Sequence, residues 1–161
     1  MPDTCVLREE EWRKLCDVRL AALSESPDMF LSTFARESVF NEQQWRAEFV
    51  RGEWIIKVSD DRIAGLLGVT REQASPQDKH FLEYMWVSPE FRRSGITADL
   101  FKVAFERLSN KGIPTVWLWV LDGNDVARRL YLKRGFVSTG IKQPLSDKLS
   151  RSEELLRLAL G

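Results

Sequence analysis

The chain has 161 residues, enough for one domain (1–161) with a sizeable core. Its 24 basic and 24 acidic residues cancel, so no global field selects nucleic acid or an anionic membrane as a partner. No secretory leader or membrane-length apolar run is visible, and Cys5 and Cys16 have neither metal-ligand spacing nor the number for a disulfide framework; a cytoplasmic protein with free thiols is expected.

Residues 5–8 have the character of a short first strand. Trp12, Leu15, Cys16, Arg19 and Leu23 then recur at helical spacing, and Ser26-Pro27 ends that helix. Arg19 is the odd member of an apolar stripe. Either it faces a cleft and anchors an anionic group of a substrate, or its stem packs while the guanidinium reaches water. Phe30, Leu31 and Phe34 open a second helical region, interrupted near Asn41, where Asn41 and Gln44 have capping-box spacing ahead of Trp45 and Phe49. Residues 54–58 and 63–69 form an expected hairpin around Ser59-Asp60-Asp61-Arg62. Gly65 and Gly68 in its second strand point to a bulge or a close backbone approach. Residues 72–79 are expected to be a polar loop.

Residues 81–87 (FLEYMWV) are an apolar run suited to a buried strand, closed by Ser88-Pro89. Arg92-Arg93-Ser94-Gly95-Ile96-Thr97 leads into a segment with helical spacing, residues 98–108. Strand, basic glycine turn and helix together make a phosphate site. The first helix amides have no internal partner, the dipole favours an anion, and Gly95 lets a ligand come close. Lys111-Gly112-Ile113-Pro114 stops the helix, and 115–121 (TVWLWVL) is a further buried strand, placed for a parallel crossover. Residues 124–134 are helical, with Gly135 in the left-handed position after the last turn. Residues 136–143 and 155–160 form an expected closing hairpin with a polar, mobile connection at 144–154.

The segment V-S-P-E-F-R-R-S-G-I-T resembles the acetyl-CoA signature of the GNAT superfamily of N-acetyltransferases, Q/R-x-x-G-x-G/A after the fourth strand. Arg92 and Gly95 match; Thr97 stands where the family has glycine or alanine, so its methyl would crowd the pyrophosphate or its hydroxyl would hydrogen-bond it. N-D-V-A-R-R-L-Y-L-K-R-G-F, residues 124–136, resembles the family's N-x-x-A-x-x-L-Y-x-K-x-G-F at every defined position. Together the motifs cover residues 81–137, and the match over the first 50 residues is far looser.

The resemblance implies an α/β fold: one mixed, twisted sheet of about seven strands with helices on both faces. It implies that the amides of Arg93, Ser94, Gly95, Ile96, Thr97 and Ala98, with the charge of Arg92, hold the pyrophosphate, and that the free edge of Met85, Trp86 and Val87 pairs with the pantetheine arm. It places Asn124 at the coenzyme, although an ordinary helix cap needs no ligand. Tyr131 becomes the expected acid for the leaving thiolate, since a phenol of pKa ~10 can protonate a thiolate of ~8.5; packing alone would also keep a tyrosine there. Glu83 is the candidate base, an ionisable residue in an apolar strand that would share a face with Met85 and Val87 and titrate higher when buried. Phe30, Phe34 and Trp45, with Arg19, are candidates to line the acceptor site; an amphipathic helix burying its aromatics explains them equally. His80 reads as a surface residue, and no cluster suggests a metal.

The expected activity is acetyl-CoA-dependent N-acetylation of a primary amine of a small molecule, by direct attack in a ternary complex. The alternatives are a protein lysine or N-terminal acetyltransferase, and a non-catalytic acyl-CoA sensor. A homodimer is expected from family habit.

Overall fold

In the computed structural model, which describes residues 4–72, 79–145 and 151–161, the apolar run at 81–87 lies in the middle strand of a seven-stranded sheet ordered β1-β2-β3-β4-β5-β7-β6. The strands are β1 Thr4–Val6, β2 Gly52–Ser59, β3 Arg62–Glu72, β4 Lys79–Val87, β5 Thr115–Leu121, β6 Val137–Pro144 and β7 Ser152–Ala159. The helices are α1 Trp12–Glu25, α2 Phe34–Glu37, α3 Glu42–Phe49, α4 Ile96–Asn110 and α5 Asp125–Lys133. β4 and β5 are parallel and the other neighbours antiparallel, so the sheet is mixed, as the crossover through α4 requires.

Each face of the sheet has its own core. Leu100, Phe101, Ala104 and Leu108 of α4 pack with Val116, Leu118, Val120 and Phe136 on one side, joined by Tyr131 of α5. Trp12, Leu15, Val18 and Ala22 of α1 pack with Trp45, Phe49, Trp54, Ile56, Leu66 and Trp86 on the other. Helix boundaries follow local chemistry. Asn41 and Gln44 close a reciprocal capping box at 2.9 and 2.8 Å, and Gly112 and Gly135 take positive φ after α4 and α5. Asp60 and Asp61 both have positive φ, the backbone of a tight hairpin turn matched to strand twist.

The outer strands differ from the sequence expectation at their ends. β1 stops at Val6, and Arg8 instead precedes a short 3₁₀ turn. Glu72 and Lys79 belong to β3 and β4 and pair with each other, while 73–78 lie outside the described residues. Ser152, Glu153 and Glu154 are in β7 rather than in a connection, because they have partners on both sides: Gln143 and Leu121 flank Glu153. Of the connection expected to be mobile, 146–150 lie outside the described residues.

Two irregularities position the site. Gly68 pairs with Glu83 and Leu66 with Trp86, so Tyr84 and Met85 together oppose one residue of β3. This is a β-bulge, and Tyr84 sits in it with φ of 55°. Leu82, Met85 and Val87 therefore share the α4 core while Tyr84 and Trp86 turn to the α1 core. The second irregularity is in the β4–β5 ladder, whose pairs are His80↔Val116 and Phe81↔Trp117; beyond Phe81 no pairing between the two strands is present among the described residues.

Gly68 is required at the bulge by contact. An added Cβ would lie 2.6 Å from Cζ3 of Trp54, whose indole is fully buried and donates to the Phe49 carbonyl at 3.0 Å. Gly68→Ala is expected to lose about 1–3 kcal/mol of stability in urea unfolding, the usual cost of overpacking; a change within experimental error would show that the indole yields.

Candidate active site

Where β4 and β5 separate, a cavity of about 510 Å³ opens between Met85 and Val87 on one wall and Leu118 and Val120 on the other. Asn124, Ala127 and Tyr131 of α5 close it at one end, and Thr97 and Arg92 reach it at the other. The β4 backbone edge at Met85, Trp86 and Val87 lacks a strand partner on this side, so it can accept an extended ligand as an added strand.

The turn ahead of α4 fits a diphosphate. Gly95 is the residue before the helix, with φ of 81° and nothing within 4 Å of where a Cβ would sit. The first internal bond runs from Asp99 N to Gly95 O, leaving the amides of Ile96, Thr97 and Ala98 without helical partners. Arg93 takes positive φ and Ser94 donates its hydroxyl to the Phe91 carbonyl, which folds the turn back on itself. Thr97 is half-buried at the cleft, and Ile96 points into the core. Arg92 corrects the sequence reading. It is not a free cation for phosphate: its Nε donates to the Val87 carbonyl at 3.1 Å and its guanidinium meets the Glu25 carboxylate at 2.7 Å. It ties the turn to the end of α1, and Glu25 also receives the Trp86 indole N–H at 3.2 Å.

Tyr131 lines the cleft with its ring packed edge-on to Phe136 at 5.7 Å and tilted against Phe101 at 6.2 Å. Burial pushes its phenol up to about 12. Asn124 accepts the Ala127 amide at 3.3 Å, so it caps α5 and lines the cleft at once.

A second cavity, of about 530 Å³, adjoins the first and shares with it Met29, Phe30, Leu82, Glu83, Tyr84, Trp119 and Leu121. Phe30 stacks on Tyr84 with centroids 5.5 Å apart and lines both cavities. Phe34 does not reach either; it is 46% exposed on α2. Trp45 is in the core against Phe40 and the Arg19 guanidinium. A larger cavity of about 880 Å³, which His80 lines half-buried, lies by the end of α4 away from Tyr131.

Arg19 neither reaches water nor faces a ligand. It is 1% exposed, and its terminal nitrogens bond Glu37 at 2.7 Å, Glu48 at 2.9 Å and the Tyr84 hydroxyl at 2.5 Å. Tyr84 in turn donates to Glu37 at 3.1 Å, and burial drives its phenol strongly upward. Glu83 also departs from expectation. The bulge takes it off the face of Met85 and Val87, and its side chain is 36% exposed with Arg51 at 3.4 Å. Arg51 also holds Glu48 at 3.2 Å. Burial works against the Glu48 carboxylate, but the Arg19 hydrogen bond and the Arg51 charge hold it below its ordinary range. Tyr84, Glu37, Arg51, Trp119 and Glu153 were not singled out by sequence reasoning; Tyr84, inside the central strand, carried the one available signal, a polar tip in an apolar run.

A sheet split between β4 and β5, with a glycine turn and the Tyr131 phenol beside it, is a geometry that could hold an extended ligand carrying a diphosphate. Residues 18–136 match the Acetyltransferase (GNAT) family, and the chain belongs to it. It is 27% identical over 124 residues to a mycothiol acetyltransferase of Brachybacterium faecium, which covers 76% of this chain and 37% of that protein, little more than a third of the relative's length. Its fold resembles an acetyltransferase of the GNAT family from Streptococcus pneumoniae (TM-score 0.77, 18% identity, 98% and 99% of the two chains). It also resembles a ribosomal-protein-alanine N-acetyltransferase from Brucella melitensis (TM-score 0.73, 14% identity, 98% and 99%).

Arg19→Leu tests the internal role of that residue. It leaves Glu37, 0% exposed, without its cation, and a loss of about 3–5 kcal/mol in urea unfolding is expected. A stable variant whose acceptor KM alone rises would return Arg19 to substrate binding.

Proposed function

We propose that this chain transfers the acetyl group of acetyl-CoA to a primary amine of a small molecule by direct attack in a ternary complex. The observation that supports this most is the junction of the two cavities. The cleft that holds Tyr131 opens into an adjoining space of about 530 Å³, within the usual size of a small-molecule site. The mycothiol acetyltransferase relative, named for a small acceptor, agrees with that choice.

The thioester supplies the acyl group, and this chain's residues do the rest. The amides of Ile96, Thr97 and Ala98 hold the pyrophosphate at the positive end of α4, while Gly95 allows the close approach. The free edge at Met85, Trp86 and Val87 holds the pantetheine arm, and an amide of that edge polarises the thioester oxygen. Tyr131 keeps its proton at neutral pH, so it can give it to the leaving sulfur. Glu83 stands at the junction, but its charge is shared with Arg51.

Thiol release from acetyl-CoA over a panel of small amines and of peptides with free N-termini or lysines tests the acceptor class; faster turnover of peptides would overturn the small-molecule choice. Tyr131→Phe is expected to lower kcat about 100-fold or more, with acetyl-CoA affinity unchanged in calorimetry. A phenol at about 12 is protonated through the neutral range, so kcat should show no loss from its ionisation below about pH 11. A basic limb near pH 10 that disappears in Tyr131→Phe would contradict the raised phenol.

A further inference from the structure

We propose that Glu153, on the last-described strand β7, receives the ammonium of the acceptor and takes its proton, so that the site selects cationic amines lacking a carboxylate beside the nitrogen. This rests on the acetyl-transfer reading above.

Three acidic residues are buried among the described ones: Glu37, Glu153 and Glu154. Glu37 has Arg19 at 2.7 Å and Glu154 has Arg128 at 2.8 Å. Glu153, 6% exposed, has no cation among the described residues; its Oε1 accepts the neutral Gln143 amide at 2.5 Å, and no bond of its Oε2 is present among them. A buried carboxylate without a cation is costly to keep ionised, and a ligand that brings one is bound in proportion. Glu153 faces the cavity where such a ligand would lie. It pairs in register with Leu121, one of the residues shared by the two cavities, and it lines the acceptor side with Phe30, Phe81 and Trp119. Those rings offer an apolar wall for a hydrocarbon body and π faces for an ammonium.

The charged and titratable groups that share this cavity are Arg36 of α2, Arg51 between α3 and β2, and Glu83 and Tyr84 of β4. Arg51 already meets Glu83, Arg36 donates to the Ser32 hydroxyl at 3.1 Å and Tyr84 is bound to Glu37, and no ion pair joins any of them to Glu153 among the described residues. Burial raises the Glu153 carboxyl, partly offset by the Gln143 hydrogen bond, and a raised carboxyl is a stronger proton acceptor. In the step, an ammonium N–H bond breaks and an O–H bond forms on Glu153. The freed nitrogen pair makes the C–N bond as the C–S bond breaks, the sulfur takes the Tyr131 proton, and the nitrogen's second proton restores the phenol through solvent. Glu153 then releases its proton to water. A carboxylate on the carbon next to the amine would face the Glu153 charge, which is the basis of the selection.

The test measures thiol release by the wild-type protein with matched pairs of amines, such as phenethylamine and phenylalanine, alkylamines and the corresponding α-amino acids. Amines are expected to exceed their α-carboxylated counterparts at least about tenfold in kcat/KM. Glu153→Gln should lower kcat/KM for the best amine about 100-fold or more and abolish the acidic limb of the pH profile, with acetyl-CoA affinity unchanged; Glu83→Gln should cost less and keep the limb. Should Glu153→Gln not fold, Glu153→Asp must shift that limb. A Glu153→Gln enzyme with wild-type kcat/KM, one in which KM alone rises with the limb retained, or a preference for α-amino acids would overturn the inference while leaving acetyl transfer standing. Acetyl-CoA binding without turnover of any amine or peptide would instead overturn the acetyl-transfer reading and this inference with it.

Discussion

The guanidinium of Arg19 is the contact on which the active-site geometry depends. It lies 4.0 Å from the centre of the Tyr84 ring and bonds both the Tyr84 hydroxyl and Glu37, so it grips that side chain by face and tip. Tyr84 occupies positive φ, a conformation a bulky residue adopts only when its surroundings hold it there. Phe30 stacked above it and Trp54 edge-on at 5.9 Å complete the clamp. The clamp holds the bulge in β4 from the α1 face of the sheet, and Tyr131 lies on the other face.

That cluster also sets the charge of the acceptor side. From the core outward, Glu37, Arg19, Glu48, Arg51 and Glu83 alternate in sign, with separations of 2.7, 2.9, 3.2 and 3.4 Å. The inner members are shielded (0% for the Glu37 side chain, 2% for Arg19) and the outer ones exposed (44% for Arg51, 36% for Glu83), so the outer pairs are weaker than the inner ones. Glu83 is thus the solvated end of a compensated chain. A carboxylate in that position is less available to a ligand than its location suggests. Glu153 reaches the same cavity from β7 with no such compensation among the described residues.

The donor half of the molecule was legible in the sequence because its determinants are local. The turn around Gly95, the cap at Asn124 and the glycine at 135 each act within a few residues, and Thr97 of that turn and Asn124 line one cleft. The acceptor half was not, for the opposite reason. Phe30, Arg51, Glu83 and Glu153 come from four separate parts of the chain, two of them between elements, and meet only in the folded sheet. Arg19 read as a cleft or an edge residue because single-helix periodicity does not show Glu37 and Glu48 waiting on other helices. Glu83 was assigned a face by the two-residue period, and one bulge reversed that assignment. Ser152, Glu153 and Glu154 read as loop from composition, and pairing to β5 overrode it. The turn at Arg92 shows a subtler failure: the motif residue is where the pattern puts it, but its charge is spent on Glu25.

Burial acts on the two proton-handling groups in the same direction and still leaves them in opposite roles. It raises the Tyr131 phenol to about 12 and raises the Glu153 carboxyl from the ordinary carboxylate range. The phenol starts so high that desolvation only secures its neutral form, the one a departing thiolate can take a proton from. The carboxyl is raised by the same burial, which makes it a stronger proton acceptor than a solvated glutamate. One apolar environment can thus prepare an acid and a base together, because their intrinsic values lie about six units apart before the fold acts on either. What each group needs from the protein is a position, and the split between β4 and β5 provides both: Tyr131 at the donor end and Glu153 across the junction they share.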